Sequence, residues 1–285
     1  MKKLLTLLLA MLLCVACCMG LTACGGDEDV LKVKDIELTS ETYAFAINKQ
    51  NTTLKNQVND ILADLEESGE LETIINSFFD GTATFEYTNP AAPTSANKAN
   101  YLVVGTNAYF PPFEMYNGAK LTGVDMKIAS VIATELGKTL YIKDMEFDAL
   151  IPSVQNGDVD IAMAGMTVTE KRLESVDFSN GYYTSAQVIT VLATDTTFDS
   201  CATVADVEAI LNAKGADYKV GTQKGTTGYM YSAGDADFGY DGFATLTTKA
   251  YDTGALAMQD LKNGKINAVI LDKQPSLMIT ASINK

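Results

Sequence analysis

Short β-rich runs alternate with helical patterns from residue 101 to the end of the chain, and this alternation limits the fold more than any other feature of the sequence. Such a chain builds a mainly parallel sheet with helices on its faces, because a parallel crossover needs a helix. The predicted strands are 102–105, 140–142, 161–164, 187–193, 218–221, 244–250 and 266–271. The predicted helices are 124–136, 147–155, 204–213 and 255–261, with others beginning at Thr169 and Thr226. The sequence therefore predicts an α/β fold.

The N-terminal part of the chain is different. Residues 31–38 and 43–47 are predicted strands, and residues 54–65 and 71–79 have apolar residues at helical spacing. So few elements bury too little surface to be stable alone, so we expect them to pack against the rest of the chain. Residues 82–100 are rich in Thr, Ala, Asn and Pro without an apolar period, which predicts a linker.

The composition excludes several classes of function. The sequence has no histidine, which removes Ser-His-Asp and Cys-His catalysis and the commonest protein ligand of zinc, copper and iron. Its 36 acidic residues outnumber its 21 basic residues, which disfavours nucleic acid and anionic lipid as partners. Cys201 is the only cysteine beyond residue 24, so the body of the protein has no disulfide framework. No metal site and no cofactor are predicted.

The first residues have the layout of an export signal. Lys2 and Lys3 precede an apolar run, and Leu21-Thr22-Ala23-Cys24 resembles the lipobox of bacterial lipoproteins, in which the cysteine is acylated. This predicts a signal peptide over residues 1–23, lipidation at Cys24 and a short anchor linker over residues 24–30. The protein would then be anchored at the extracytoplasmic face of the membrane. The alternative is an uncleaved transmembrane helix, since the apolar stretch is almost long enough to span a bilayer.

A series of motifs beyond residue 101 resembles the solute-binding proteins of polar amino-acid ABC transporters, the bacterial extracellular solute-binding protein family 3. The matching segments, in family order and spacing, are 104–107 (VGTN), 111–114 (PPFE), 123–125 (GVD), 147–152 (FDALIP), 164–172 (AGMTVTEKR), 177–179 (DFS) and 182–183 (YY). The resemblance implies a two-lobed periplasmic-binding-protein type 2 fold with a hinge, and a monomer that delivers a free amino acid to an ABC transporter permease.

The resemblance also implies a circular permutation. In the family the chain continues after the strand and helix of residues 268–283 through a hinge and two closing helices, and residues 31–81 resemble that missing tail, with residues 41–46 as the hinge strand. We therefore predict a first lobe over residues 43–192, with 82–100 as joining linker, and a second lobe over residues 193–285 plus 31–42. The alternative is that residues 31–81 are an unrelated appended module.

The resemblance places the ligand between the lobes. Arg172 and Thr167 would hold the carboxylate of an amino acid, and Asp272 its ammonium group. Further contacts would come from helix beginnings, from the carbonyl of a glycine and from two aromatic rings that enclose the ligand side chain. The complete set is Asn107, Phe110, Phe147, Ala164, Gly165, Thr167, Arg172, Gln223, Thr226, Thr227 and Asp272.

The sequence leaves alternatives open for the identity of the ligand and for the class of function. Asn107 stands where many relatives carry aspartate, which favours a polar uncharged ligand such as glutamine. The principal prediction is a binding protein and not an enzyme. One alternative is a dehydratase-like enzyme on the same fold, with Glu114 or Asp241 as acid or base; the other is a sensory or adhesive binding protein.

Overall fold

The computed structural model describes residues 29–285. The predicted signal peptide, the lipidation site Cys24 and the alternative transmembrane helix all lie outside the described residues. The helices within residues 29–285 are all too short or too polar to cross a bilayer.

The described chain alternates strands and helices as the sequence predicts. The strands are Leu31–Lys34, Glu41–Tyr43, Ala46–Ile47, Tyr101–Thr106, Tyr109–Phe110, Glu114–Asn117, Lys120–Thr122, Thr139–Asp144, Ile161–Ala162, Asp177–Phe178, Tyr183–Ser185, Gln187–Leu192, Lys219–Gln223, Thr247–Tyr251 and Ala268–Asp272. The α-helices are Thr52–Glu67, Glu70–Phe79, Val124–Glu135, Leu150–Asn156, Glu170–Leu173, Val204–Asn212, Thr227–Ala233, Gly254–Lys262 and Lys273–Ile283. Threonine side chains cap several helices, including Thr169 and Thr226, because a hydroxyl oxygen accepts from the otherwise unpaired N–H groups of the first turn.

Two mixed five-stranded sheets form the two lobes. The strand order of the first sheet is Asp177–Phe178, Ala46–Ile47, Ile161–Ala162, Tyr101–Thr106, Thr139–Asp144. The order of the second sheet is Leu31–Lys34, Gln187–Leu192, Ala268–Asp272, Lys219–Gln223, Thr247–Tyr251. In each sheet the strands that alternate with helices are parallel to one another. One strand in each sheet, Ala46–Ile47 in the first and Gln187–Leu192 in the second, is antiparallel to its neighbours.

The chain crosses between the sheets at two adjoining places. Strand Glu41–Tyr43 pairs with strand Tyr183–Ser185 in an antiparallel two-stranded ladder. The chain then enters the first sheet at Ala46–Ile47, while the other crossing continues into the second sheet at Gln187–Leu192. The sequence predicted one strand over 43–47 and a lobe boundary at 192/193. The ladder divides that strand in two, and the run 187–192 belongs to the second sheet, so the crossing lies before residue 187.

Residues 31–81 pack against the rest of the described chain, as expected from their small size. Strand Ala46–Ile47 lies inside the first sheet, and strand Leu31–Lys34 forms an edge of the second. The two helices that follow bury Val58, Leu62 and Ile74 in a hydrophobic cluster shared with helix Val124–Glu135.

The segment predicted as a linker also lies against the first lobe. Tyr87 pairs with Leu121 through both backbone groups, and its hydroxyl donates to the carbonyl of Leu140. The Asn89 side chain forms two hydrogen bonds with the backbone of Ile142. The segment follows the edge of the first sheet because its side chains satisfy the backbone groups of the edge strand Thr139–Asp144.

The two ends of the folded region lie together. The Asn284 amide oxygen accepts from the backbone N–H groups of Val30 and Leu31, both at 3.0 Å, and its Nδ2 donates to the Leu31 carbonyl at 2.9 Å. One side chain thus ties the last helix to the first strand of the second sheet.

Candidate ligand-binding site

A single cavity between the lobes brings together all but one of the residues that the sequence predicted as ligand-binding. Its lining residues are Asn107, Phe110, Glu114, Phe147, Gly165, Thr167, Arg172, Gln223, Thr226, Thr227 and Asp272. Ala164 is buried nearby but does not line it, and Asp241, an acid-base candidate of the enzyme alternative, is exposed and also lies outside the lining.

Strand ends position most of these side chains. Asn107 follows strand Tyr101–Thr106, while Gln223 and Asp272 end two parallel neighbours of the second sheet. The carboxyl ends of parallel strands meet at one edge of a sheet, where α/β proteins place their ligands. The fold therefore aims the two edges at a common space.

Arg172 is a buried charge held by carbonyl oxygens and aromatic rings. Its Nη1 donates to the Thr167 carbonyl at 2.6 Å, and its Nη2 donates across the cleft to the Gly225 carbonyl at 3.1 Å. The guanidinium carbon lies 5.4 Å from the ring centre of Phe147 and 5.9 Å from that of Phe238. Burial lowers the pKa of Arg172 to about 10, and Glu41 and Asp272 partly oppose this shift. Arg172 therefore stays cationic at neutral pH.

Asp272 is the corresponding buried acid in the second lobe. Its Oδ1 accepts a hydrogen bond from the hydroxyl of Tyr43, which lies on the two-stranded ladder where the chain crosses between the sheets. Burial raises the pKa of Asp272, and the negative charge of Glu41 raises it further. A cation placed beside Asp272 would oppose these effects and lower the pKa of Asp272.

Glu41 is a site residue that sequence reasoning did not identify as one. It is 4 % exposed, and its carboxylate accepts hydrogen bonds from the hydroxyls of Thr39, Thr167 and Thr227. An acid at the start of the short strand Glu41–Tyr43 is a weak signal for such a role, because only the crossing of the chain segments brings these hydroxyls together.

A second pair of acids lies under the cavity. Asp125 is fully buried and accepts from the Gly165 N–H at 2.9 Å and from the Tyr182 hydroxyl at 2.6 Å. Burial raises the pKa of Asp125 to about 6, although these hydrogen bonds lower it. Burial, and next the charge of Asp125, raise the pKa of Glu114 well above its usual value. Glu114 is therefore the member of the pair that holds a proton more strongly.

Glu114 faces the cavity with unused hydrogen-bonding capacity. Its carboxyl group shares a hydrogen bond with Asp125, which leaves one carboxyl oxygen for another partner, and within residues 29–285 no hydrogen bond reaches the amide oxygen of Gln223. Buried polar atoms without partners cost free energy, so a bound ligand that supplies partners would be stabilised here.

Gly165 is required by the shape of the cavity wall. Its φ of +52° is in the left-handed region, and a Cβ placed on it would lie 2.7 Å from an atom of the Phe110 ring. A side chain at this position would therefore move Phe110 into the cavity.

The two lobes touch across the cavity. Gln223 Nε2 donates to the Asn107 amide oxygen at 2.9 Å, and the ion pairs Lys224–Asp148 and Lys171–Asp237 join the lobes near the cavity. The free volume left inside is about 10 Å³, on the order of the space for one water. The structure is thus a closed form, and a ligand can enter only if the lobes separate.

The Glu114 carboxyl predicts a specific pH dependence of stability. A group whose folded pKa is raised contributes stability below its unfolded pKa and loses that contribution as pH rises through the folded pKa. The variant Glu114→Gln cannot titrate, so its free energy of unfolding should rise relative to the natural protein between pH 4 and pH 8. The expected change is about 1.4 kcal/mol for each unit of pKa shift crossed.

Urea denaturation at pH 4, 6 and 8 measures this difference, with the exposed Glu135→Gln as matched control. If the difference in free energy of unfolding between Glu114→Gln and the natural protein is as independent of pH as that of the control, a raised pKa at Glu114 is contradicted.

Comparisons with known proteins identify the family of the chain. Residues 102–273 match the bacterial extracellular solute-binding proteins, family 3. The putative ABC transporter arginine-binding protein 2 of Escherichia coli is 32% identical over 180 residues, which are 62% of this chain and 65% of that protein. The arginine-binding extracellular protein ArtP of Bacillus subtilis is 38% identical over 88 residues, 31% of this chain and 34% of that protein. The chain thus spans from one third to just under two thirds of the length of these relatives.

Solved structures are similar over the same part of the chain. An ancestral arginine-binding protein bound to arginine has a TM-score of 0.54 and 34% sequence identity, covering 64% of this chain and 74% of that chain. An ancestral amino acid-binding protein, a precursor of cyclohexadienyl dehydratase, has a TM-score of 0.56 and 30% identity, covering 65% and 75%. The predicted two-lobed type 2 fold is confirmed, and the chain belongs to the bacterial extracellular solute-binding proteins, family 3.

Proposed function

We propose that this protein captures a free amino acid between its two lobes, outside the cytoplasm, and delivers it to the permease of an ABC transporter. The observation that carries this proposal is the pair of buried opposite charges, Arg172 from the first lobe and Asp272 from the second, which line one cavity. A buried charge is stable only when it is paired, and a zwitterion supplies a partner to each.

The remaining lining residues suit the rest of such a ligand. Phe110 and Phe147 offer apolar faces to the ligand side chain, while Gly165 lets the backbone approach closely. Because Arg172 uses only part of its donor set on the carbonyls of Thr167 and Gly225, it retains N–H groups for a carboxylate.

Glutamine, the ligand that the sequence favours, fits the polar lining. Its side-chain amide could donate to the unpartnered oxygen of Gln223 and to the remaining carboxyl oxygen of Glu114. Asn107 contributes less than expected, because its amide is already occupied by Gln223 and by the Met145 carbonyl.

A cationic amino acid is the second candidate, and the charge balance supports it. Glu41, Asp272 and the Glu114–Asp125 pair are all buried in or beside the cavity, against the single cation Arg172. A ligand side chain with a positive charge would offset this excess and would lower the raised pKa values of these acids. The similar proteins named for arginine binding are consistent with this candidate.

The enzyme and sensory alternatives have weaker support. Glu114 is close enough to act on a bound ligand, and one similar structure is a precursor of a dehydratase, but Asp241 lies away from the cavity. Product formation from cyclic acids would establish the dehydratase alternative. A sensory role would use the same cleft and would differ only in its membrane partner.

We further propose that Cys24 is lipidated and anchors a monomer to the membrane. The proposal is supported by the LTAC motif after an apolar run and by the first described strand, which begins only a few residues later at Leu31.

Replacing Cys24 with Ser should release the protein from the membrane fraction; continued membrane association would favour the uncleaved helix instead.

The circular permutation is a third proposal. Two observations support it: residues 31–81 lie outside the family match, and their strand Ala46–Ile47 occupies an internal position of the first sheet. An appended module would not be expected to complete the sheet of its host. The proposal is also supported by the contact of Asn284 with Val30 and Leu31, since ends this close can be joined by a short peptide.

A chain in the proposed ancestral order tests this. It begins at residue 101, continues through 285, is joined by a short glycine linker to residue 30 and ends at residue 81. We expect it to fold and to bind the same ligand with an affinity within a fewfold of the natural order. Deletion of residues 29–81 should abolish folding, whereas a folded, ligand-binding deletion variant would support the appended-module alternative.

The binding function is tested by a thermal-shift screen of residues 25–285 against all proteinogenic amino acids. A ligand at a hundred times its dissociation constant should stabilise the protein by about 2.7 kcal/mol. Arg172→Ala should remove the shift, while the charge-matched control Lys262→Ala, at an exposed position, should retain it. A shift with glutamine or with arginine distinguishes the two candidates, and no shift with any amino acid would contradict the proposal.

A further inference from the structure

We propose that Glu41 is a positioning residue that latches the two lobes in the closed form and thereby sets the affinity for the ligand. This proposal deepens the proposed amino-acid binding and rests on it for the affinity, but not for the closure itself.

The carboxylate of Glu41 bridges the lobes directly. Its Oε2 accepts from the Thr167 hydroxyl at 2.6 Å and from the Thr227 hydroxyl at 2.8 Å. Thr167 follows a strand of the first sheet, and Thr227 begins a helix that follows a strand of the second sheet. One oxygen atom thus receives a hydrogen bond from each lobe.

The backbone of Glu41 lies on the hinge. Strand Glu41–Tyr43 belongs to the ladder at which the chain crosses between the sheets, and Oε1 of Glu41 accepts from Thr39 at 2.7 Å. When the lobes separate, Thr167 and Thr227 move apart, so at least one bond to Oε2 breaks. These bonds are charge-assisted and among the stronger hydrogen bonds, and they exist together only in the closed form.

The hydrogen bonds to Glu41 also determine whether the two hydroxyl groups can donate or accept toward other groups. Because Thr167 and Thr227 donate their hydrogens to Glu41, their oxygens can act only as acceptors toward other groups. The oxygen of Thr227 accepts from Gln187 Nε2 at 3.2 Å. The oxygen of Thr167 is thus left as an acceptor in the cavity lining, which suits a ligand ammonium group better than the carboxylate that the sequence assigned to it.

Electrostatics couples the latch to the ligand. The negative charge of Glu41 raises the pKa of Asp272 and helps to keep Arg172 charged. In the empty closed form the two acids repel each other, and an ammonium group beside them would replace this repulsion with attraction. The latch is therefore more favourable in the presence of ligand than in its absence.

The consequence for affinity follows from the closed fraction. If only the closed form holds the ligand with both lobes, the apparent dissociation constant equals the intrinsic one divided by the closed fraction. Weakening the latch lowers this fraction and weakens binding by the same factor, without removing any group that lines the cavity.

The variant Glu41→Gln tests the proposal, with the exposed Glu37→Gln of the same segment as matched control. The closed fraction of the ligand-free protein is measured by energy transfer between dyes on the two lobes, and affinity is measured by calorimetry. We expect Glu41→Gln to lower the closed fraction and to raise the dissociation constant roughly tenfold or more, by at least the factor by which the closed fraction falls. The ligand-saturated variant should still close.

Thr227→Val provides an independent variant, because it removes the hydrogen bond of Glu41 to the second lobe, together with the hydrogen bond that Thr227 accepts from Gln187. It should shift the closed fraction in the same direction, and in combination with Glu41→Gln the effects should be less than additive. A closed fraction and an affinity equal to those of Glu37→Gln would overturn the proposal. So would tighter binding by Glu41→Gln, since the carboxylate would then be a competitor of the ligand. If no amino acid binds the natural protein, the binding function fails, and the closed fraction still tests the latch.

Discussion

The pairing of two chain crossings is the constraint on which the rest of the structure depends. Because strand Glu41–Tyr43 is held against strand Tyr183–Ser185, the two sheets are connected at a fixed place and can move relative to each other only about it. The same ladder places Tyr43 against Asp272 and Glu41 between the hydroxyls of the two lobes. This ladder is therefore part of the candidate site, and its position determines which strand ends face each other.

Burial of unequal charge gives this site its chemical character. Arg172 is held by carbonyl oxygens and aromatic rings instead of a direct ion pair, while several acids with raised pKa values lie around it. In the closed form without a ligand charge beside these groups, this arrangement is electrostatically unfavourable. A zwitterion that enters an opened cleft and closes it would supply the missing cation to the acids and the missing anion to Arg172.

The parts of the fold and of the candidate site that could be predicted from the sequence are those that a local pattern or motif marks. Helix beginnings at Val124 and Thr169 follow from apolar period, caps and glycine stops, whereas most of the cavity lining could be named in advance only because the motifs resemble those of the family. The division of 43–47 into two strands, the place of 187–192 in the second sheet and the role of Glu41 depend on pairing between distant segments. Such contacts leave no periodic signal in one sequence, and neither does the shared burial of Glu114 and Asp125.

The most direct test of the account is a crystal structure of residues 25–285 grown with the amino acid that stabilises the protein most. We predict one ligand molecule between closed lobes, with its carboxylate on Arg172, its ammonium group within hydrogen-bonding distance of Asp272 and the Thr167 oxygen, and Glu41 still bound to Thr167 and Thr227. A ligand bound elsewhere, or one whose carboxylate has displaced the Glu41 side chain from these hydroxyls, would contradict it.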